Sequence, residues 1–512
     1  MSVAVALRRF ATRRHVRPWA LCAPIIVLII SIPLLRPLHT PDPSLISDDE
    51  QSRLGTIQAI VEHHTLAIEG TDFRDTRDKI VAKSDAGEKF PAHFYSKQPP
   101  MLAALMSGPY WVMHRMGLTL GRDPSSTVFW LTLLCITLPV ALSAGLVYRM
   151  SRIFEMKRPL RATLALVAVV GSGLISYSTV INAHAPAAAL LLAAATLFIR
   201  VITHEKLNRA VGWLLLAGIF TALAATIDPP AVVFLILFVL VIGAFRWPIL
   251  TRGVGIALYV LGAALPLTIH ARLNRPITGD IRPGMFHPEL ALSRIRRKAD
   301  VGDMVPGKSA EEEATSPSTA SAPANSLFAS STASDDDDEA QTPWQSFLRG
   351  SYRVYSAMLG WHGIFSHFPV VLMGIIGVSL VMHRHWPAAT KMLAGTTLGG
   401  ALIIILIYAI SRTTTRDAMF ATRWFVVFLP LTIFWAGAWL RRSHRTTSWI
   451  LAGILLAFSV TASLIGATGP IPRGGFDRYT VSGAWHNFMH PPSPPAIPSA
   501  LADRGNQDAI PE

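Results

Sequence analysis

The chain has 512 residues, of which 51% are hydrophobic and 15% are charged, and its formal net charge is +14. The charged fraction lies well below the roughly 25% of an ordinary soluble chain, so the composition excludes a typical soluble enzyme. The Lys and Arg residues fall in short clusters between apolar runs, which indicates membrane topology and argues against nucleic-acid binding. Cys22 and Cys135 each lie inside an apolar run, so the sequence predicts neither a disulfide framework nor a cysteine metal site.

The first predicted element is a membrane helix over residues 19–38. It follows a basic segment, residues 1–18, that contains five arginines. A cleaved secretory signal is the alternative, but Pro33 and Arg36 lie where a small-residue cleavage site is expected. The run is long enough to span the bilayer, so we expect an uncleaved helix whose basic end is cytoplasmic.

A long polar loop, residues 39–127, follows this helix and carries the residues best suited to chemistry. Ser47-Asp48-Asp49-Glu50 lies near its start, and Tyr95-Ser96-Lys97-Gln98-Pro99-Pro100 lies before an apolar run that begins at Met101. Carboxylates can take a proton or hold a cation, and a lysine can hold a phosphate. The sequence therefore predicts that this loop is the catalytic part of the protein.

Each of these two groups also has a purely structural interpretation. Ser47 and Glu50 have the spacing of a capping box, and acids in a first helical turn are favoured by the helix dipole. Lys97 could be an interfacial lysine whose stem lies along apolar surface. The run after Pro100 predicts a helix with Met101, Leu102, Leu105 and Val112 on its apolar side, lying in the membrane interface or docked on the helix bundle.

Ten further apolar runs of about twenty residues predict ten more membrane helices. These runs are Val128–Tyr148, Ala162–Ile181, Ala185–Ile202, Ala210–Ile227, Ala231–Phe245, Gly253–Ala271, Gly363–Met382, Met392–Ser411, Trp424–Leu440 and Trp449–Ala467. Basic residues crowd alternate loops on the side of the N-terminus, which supports a cytoplasmic N-terminus. The predicted fold is an all-α polytopic membrane protein with about eleven transmembrane helices and interfacial helices in its first outer loop.

The domain organisation follows from this pattern. The predicted segments are the basic N-terminus 1–18, the first helix 19–38, the outer catalytic loop 39–127, helices two to seven over 128–271, an outer loop over 272–358, helices eight to eleven over 359–467 and an outer Pro-rich tail over 468–512. Within the second outer loop, residues 305–342 form an acidic, low-complexity insert that we expect to be disordered. No segment has the alternating strands and helices of a soluble nucleotide-sugar-binding domain.

Further candidate residues lie at predicted outer turns. Asn182 and His184 could bind substrate or a metal, and His362 could do likewise, although a lone histidine is more often a packing residue. Asp228 lies in a short turn between two spans, where a turn role competes with function. Arg423 is an outer-facing arginine beside a span end, which a phosphate ligand or interfacial anchoring would explain.

Several of these segments together resemble the polytopic GT-C glycosyltransferases, and more closely the branch of the protein O-mannosyltransferases and aminoarabinose transferases. The resemblance covers roughly residues 1–465 apart from the acidic insert, and it rests on the order of the motifs. They are Asp49-Glu50, Tyr95-Ser96-Lys97-Gln98-Pro99-Pro100-Met101-Leu102, Asn182-Ala183-His184-Ala185-Pro186, Asp228-Pro229-Pro230-Ala231, Gly360-Trp361-His362-Gly363-Ile364-Phe365 and Ala421-Thr422-Arg423-Trp424-Phe425. Some members carry a second acidic residue in the turn at 182–184, where this chain has none.

The resemblance implies a transferase that moves a sugar from a polyprenyl-phosphate carrier to a lipid, glycan or protein acceptor. It implies a multi-pass protein of a bacterial inner membrane, with its site on the outer, periplasmic side. Asp49, or else Asp48, is then the catalytic base of an inverting single displacement, while Lys97, Arg423 and Tyr95 bind the donor phosphate. No cofactor is required by this interpretation, and a divalent cation held by Asp48 and Asp49 stays open.

The main alternative is a polytopic transporter or lipid flippase without transferase activity. Such proteins typically have helices broken by Gly or Pro in two related halves, with ionisable residues at mid-membrane. The acids here cluster at the outer boundary, and the sequence contains no visible half-repeat. The pattern therefore favours a transferase.

Overall fold

A computed structural model describes residues 19–35, 47–82, 93–204, 207–287, 290, 343–360, 363–410, 420–421, 423–441 and 446–468. The basic N-terminus, the acidic insert, the Pro-rich tail and His362 lie outside these described residues. Regular structure within them is helical, apart from one two-stranded sheet.

The helices of the first half cover the first span, the first loop and six predicted spans. Their bounds are α1 Trp19–Leu34, α2 Asp48–Glu62, α3 Pro100–Arg115, α4 Pro124–Thr132, α5 Leu138–Met150, α6 Arg158–Val170, α7 Leu174–Tyr177, α8 His184–His204, α9 Leu207–Ile227, α10 Val232–Gly243 and α11 Ile249–Thr278. A π-helical turn over Leu133–Thr137 joins α4 to α5, so that Pro124–Phe154 forms one continuous apolar rod with a 3₁₀ end.

The second half of the chain supplies the remaining helices. They are α12 Pro343–Leu359, α13 Ile364–His367, α14 Val371–His383, α15 Ala388–Ile410, α16 Leu429–Phe434, α17 Ala436–Leu440 and α18 Thr446–Thr468. Short 3₁₀ turns lie at Pro229–Ala231, Gly284–Phe286 and Arg423–Phe425.

The chain is a polytopic integral membrane protein. Among the described residues, six helices are long and apolar enough to cross a membrane, and a seventh span results if the pair Gly350–His367 and Val371–His383, bent by 97°, counts as one. Three shorter apolar helices cover Trp19–Leu34, Pro229–Gly243 and Leu429–Leu440. The predicted number of eleven is therefore not confirmed, because several apolar runs fold as short or broken helices.

One such break lies in the predicted span 162–181, which folds as α6 and α7. Gly173 lies between these helices at φ +73°, and a Cβ there would lie 2.4 Å from the ring of Phe368. Only glycine meets both conditions without strain. After the break, the buried residues 178–183 lead to the start of α8.

The described residues of the first loop pack on the helix bundle. Helix α2 packs against α3, and a hairpin of β1 Lys79–Ala82 and β2 His93–Ser96 lies beside α2. The strands are antiparallel, with Lys79 opposite Ser96. An all-α loop was predicted, so the hairpin is a correction; strands of four residues are too short to show an alternating pattern.

Helix α3 has one buried and one exposed side, and residues of the predicted apolar side lie on both. Met101 and Leu102 are buried, whereas Leu105 and Val112 are about half exposed, together with Trp111. The predicted apolar side is thus divided: its first two residues join the core and the other two face outward. An exposed apolar stripe with an aromatic residue suits the membrane interface.

Candidate active site

The start of α2 is fixed by the predicted capping box. The Ser47 hydroxyl accepts a hydrogen bond from the Glu50 backbone N–H at 3.3 Å, and the Glu50 carboxylate accepts one from the Ser47 N–H at 3.1 Å. The second oxygen of Glu50 accepts a hydrogen bond from the N–H of Ile181 at 2.8 Å. Glu50 is fully buried, so it joins the first loop to the turn before α8.

Asp49, the next residue toward the helix start, forms an ion pair with Arg423. The Oδ2 atom of Asp49 lies 2.7 Å from Nη1 of Arg423, and the two side chains are 22% and 12% exposed. The guanidinium of Arg423 also lies over the ring of Trp424, 4.5 Å from its centre. Two residues predicted to act in one site are therefore brought together from opposite ends of the chain.

A second carboxylate, Asp78, lies beside this pair. The amide nitrogen of Gln98 donates to Oδ2 of Asp78 at 2.8 Å and to Oδ1 of Asp49 at 3.4 Å. The hydroxyl of Ser52 donates to Asp78 at 2.8 Å. Arg53, one helical turn after Asp49, donates to the Gln98 carbonyl oxygen at 2.8 Å and to the Asp49 backbone carbonyl at 3.2 Å. The result is a hydrogen-bonded cluster of two carboxylates and two guanidinium groups.

The two carboxylates differ in acidity. Burial raises the pKa of Asp49, but the charges of Arg423 and Arg53 outweigh burial and hold that pKa below its ordinary value. Burial and the charge of Asp49 raise the pKa of Asp78, against the hydrogen bonds from Gln98 and Ser52. Paired carboxyl groups with opposite shifts are typical of acid–base sites.

The other predicted residues of the first loop lie at the edge of this cluster. Asp48 is exposed, and its Oδ1 accepts a hydrogen bond from the N–H of Arg77 at 3.3 Å. Lys97 is exposed, and its ammonium forms no ion pair with a described residue. Tyr95 is half-buried on β2, where burial raises its pKa. The roles of Lys97 and Tyr95 at a donor phosphate, and of Asp48 as the alternative base, stay predictions.

The turn at 182–184 lies next to this cluster. The amide oxygen of Asn182 accepts a hydrogen bond from the N–H of Ala185 at 2.8 Å, so Asn182 caps α8. Nδ1 of His184 lies 2.8 Å from Oδ2 of Asp228, and both residues are buried. Asp228 is thus more than a turn residue. The His184 ring meets that of Trp424 edge to face, with centres 5.3 Å apart.

A divalent cation held by Asp48 and Asp49 stays a prediction. Among the described residues, no group of three or more His, Cys, Asp or Glu side chains is placed to hold a metal ion. Asp48 and Asp49 share no hydrogen-bond partner, and the cationic group at Asp49 is the Arg423 guanidinium. A divalent ion there would also face the positive charge of Arg53.

Sequence reasoning missed Arg53, Asp78 and Gln98. The i to i+4 spacing of Asp49 and Arg53 on one helix could have indicated Arg53. Gln98 directly follows Lys97, and a neutral amide carries no charge that would mark it as a site residue. No pattern distinguishes Asp78 from the other acids of the loop, since its burial depends on the hairpin and α2 meeting.

The comparisons with solved structures identify the fold. The apo oligosaccharyltransferase of Archaeoglobus fulgidus matches with a TM-score of 0.51 at 12% identity, over 97% of this chain and 60% of that one. The same organism's oligosaccharyltransferase AglB, in complex with an inhibitory peptide and a dolichol-phosphate, matches with a TM-score of 0.50 at 12% identity, over 96% of this chain and 60% of that one. ArnT of Cupriavidus metallidurans bound to undecaprenyl phosphate matches with a TM-score of 0.49 at 13% identity, over 91% of this chain and 68% of that one.

The chain spans about three fifths of the length of the archaeal enzyme. No protein-family model and no curated protein matches its sequence. The predicted resemblance to GT-C glycosyltransferases is confirmed at the level of the fold.

Proposed function

We propose that the chain is a membrane glycosyltransferase that moves a sugar from a polyprenyl-phosphate carrier to a lipid, glycan or protein acceptor. Its N-terminus is cytoplasmic, its site lies on the outer face of the membrane, and residues 39–127 form the catalytic loop. The observation that carries the proposal is the ion pair of Asp49 with Arg423, at 2.7 Å between partly exposed side chains. The GT-C fold and the dolichol-phosphate bound by the archaeal enzyme of that fold support it.

The ion pair suits a lipid-phosphate donor because a phosphate can replace the carboxylate as the partner of Arg423. Arginine binds phosphate oxygens through charge-assisted hydrogen bonds. When Arg423 turns to the phosphate, Asp49 loses the nearest charge that lowers its pKa, and burial then raises that pKa. Donor binding thus converts a weak base into a better one.

The transfer itself is a single displacement. The acceptor oxygen forms a bond to the anomeric carbon while the bond from that carbon to the phosphate oxygen breaks. The hydroxyl proton goes to Asp49, and the electron pair of the broken bond leaves with the polyprenyl phosphate. Arg423 and Lys97 stabilise the charge that develops on this phosphate, and one displacement inverts the anomeric centre.

Binding and transfer are measured separately to test the proposal. The purified protein in nanodiscs should bind polyprenyl phosphate but not the polyprenol of equal length, and Arg423→Met and Lys97→Ala should each weaken binding by about tenfold. Labelled sugar should pass from at least one member of a panel of synthetic polyprenyl-phosphate sugars to extracted membrane acceptors. Equal affinity for the phosphate and the alcohol would refute the donor assignment.

The transporter alternative makes a different prediction in the same assay. A flippase would bind the lipid phosphate and leave the sugar–phosphate bond intact. Asp49 lies in the first loop and Arg423 begins a 3₁₀ turn, and their side chains keep 22% and 12% exposure. This position favours transfer at the membrane surface.

A further inference from the structure

His184 and Asp228 form a buried pair for which the transfer step has no use. His184 begins α8, and Asp228 lies directly after α9, at the 3₁₀ turn that leads into α10. Their side chains are 7% and 3% exposed. Burial of an acid in a membrane protein costs free energy, so such an acid is a candidate functional residue. Its partner here is His184.

The contact fixes the tautomer of the neutral imidazole. Because the carboxylate of Asp228 accepts a hydrogen bond from Nδ1–H, the lone pair of the ring lies on Nε2. No described residue donates a hydrogen bond to Nε2. Asn182 caps the same helix end and Trp424 packs against the ring, so the imidazole is held in one orientation. A base oriented in this way by a buried carboxylate can take a proton.

Two indirect links connect the His184–Asp228 pair to the Asp49–Arg423 ion pair. On one side, Glu50, the neighbour of Asp49, binds the N–H of Ile181, three residues before His184. On the other side, the His184 ring touches Trp424, over which the Arg423 guanidinium lies. The charge of a protonated His184 also lowers the pKa of Asp49.

The transfer step leaves a proton on Asp49 that must depart before the next cycle. When the polyprenyl phosphate leaves, Arg423 returns to Asp49, and its positive charge disfavours the protonated carboxyl. We propose that the His184–Asp228 pair is the proton acceptor that restores ionised Asp49 after each transfer. The inference rests on the proposed function, and it assigns a second step to the same site.

The step balances without a further reactant. The proton passes from the Asp49 carboxyl to Nε2 of His184, directly or through one water, and the electron pair of the broken O–H bond stays on Asp49. The imidazolium is stabilised by the carboxylate of Asp228 and then gives its proton to solvent. Both residues end the cycle in the state in which they began it.

Comparison of the single-turnover rate with the steady-state rate distinguishes a proton acceptor that acts after transfer from a residue needed for transfer itself. His184→Asn places an amide N–H near the position of Nδ1–H, so it can keep the hydrogen bond to Asp228 but cannot take a proton. With enzyme in excess over a labelled polyprenyl-phosphate sugar, the single-turnover rate should stay within about twofold of wild type. The steady-state rate should fall by on the order of tenfold. Asp228→Asn should act in the same direction, and added imidazole should partly restore steady-state turnover in His184→Asn.

The matched control is His287→Asn, another buried histidine beside an aspartate, whose Nε2 lies 3.3 Å from Asp280. Both rates should be unchanged in that variant. If His184→Asn has wild-type steady-state turnover, or loses both rates equally, the relay is wrong while the transferase stands. A wild-type protein that transfers no sugar from the whole panel overturns the proposed function and this inference with it.

Discussion

The substitution Asp49→Asn tests the proposed chemistry most directly. It removes the charge that faces Arg423 but keeps the size of the side chain, and Ser47 still caps the helix. An amide cannot take the acceptor proton, so transfer should fall by about 10²- to 10⁴-fold. At about 1.4 kcal/mol for each factor of ten, the barrier rises by roughly 3–5 kcal/mol.

The cost in stability follows from the burial of the pair. Loss of one partner of a fully buried ion pair costs about 3–5 kcal/mol. The side chains of Asp49 and Arg423 keep 22% and 12% exposure, so water compensates part of that loss and we expect about 1–3 kcal/mol. Donor affinity should be retained or rise severalfold, because the carboxylate no longer competes with phosphate for Arg423.

Three measurements on one preparation of Asp49→Asn test this prediction. They are transfer from a polyprenyl-phosphate sugar, binding of polyprenyl phosphate and thermal unfolding in detergent. Asp48→Asn is the control, since Asp48 is exposed and its carboxylate accepts a hydrogen bond from the backbone N–H of Arg77, while its backbone carbonyl accepts one from the Thr76 hydroxyl. It should keep transfer within about twofold. Wild-type transfer by Asp49→Asn would remove the base from this site, and a parallel loss of donor binding would mean that Asp49 only orders the loop.

Two further predictions concern Asp78 and the topology. The raised pKa of Asp78 means that stability increases as pH falls from above that pKa toward the ordinary value of about 4. Asp78→Asn should therefore melt no lower than wild type at pH 8 and gain less on acidification to pH 5; an unchanged pH dependence of the melting temperature would contradict the assignment. A reporter fused after Arg158 or Arg445 should be cytoplasmic and one within residues 316–334 should be outside, and a cytoplasmic signal from the latter would reverse the orientation.

The sequence predicted best those features that depend on local pattern. The capping box of Ser47 and Glu50 needs only residues three apart, and the structure contains it. Most apolar runs became helices near the predicted bounds, because twenty apolar residues have few alternatives in a bilayer. The prediction of one helix over 162–181 was wrong at Gly173. There the backbone conformation depends on contact with Phe368, which hydropathy does not indicate.

The sequence predicted only those site residues whose charge is unusual for their position. The predicted topology places Arg423 on the outer side, where arginines are usually few, and Asp49 is one of three acids in a first helical turn. Their contact joins residues 374 positions apart, which no local pattern encodes. The same holds for His184 and Asp228, 44 positions apart, since the pair exists only because α8 and α9 pack side by side.

The charges of the proposed reaction can be compared with those of the ion pair and of Lys97. A polyprenyl-phosphate sugar is a phosphodiester with one negative charge, and its product is a monoester that carries more negative charge at neutral pH. In the proposed reaction, Asp49 gains a proton as the phosphate gains charge, so Arg423 changes its partner while the total charge stays the same. The incoming diester still adds one negative charge to a site whose guanidinium groups already have carboxylates nearby. Lys97, at the edge of the cluster and without an ion pair among the described residues, is the group that can balance that charge.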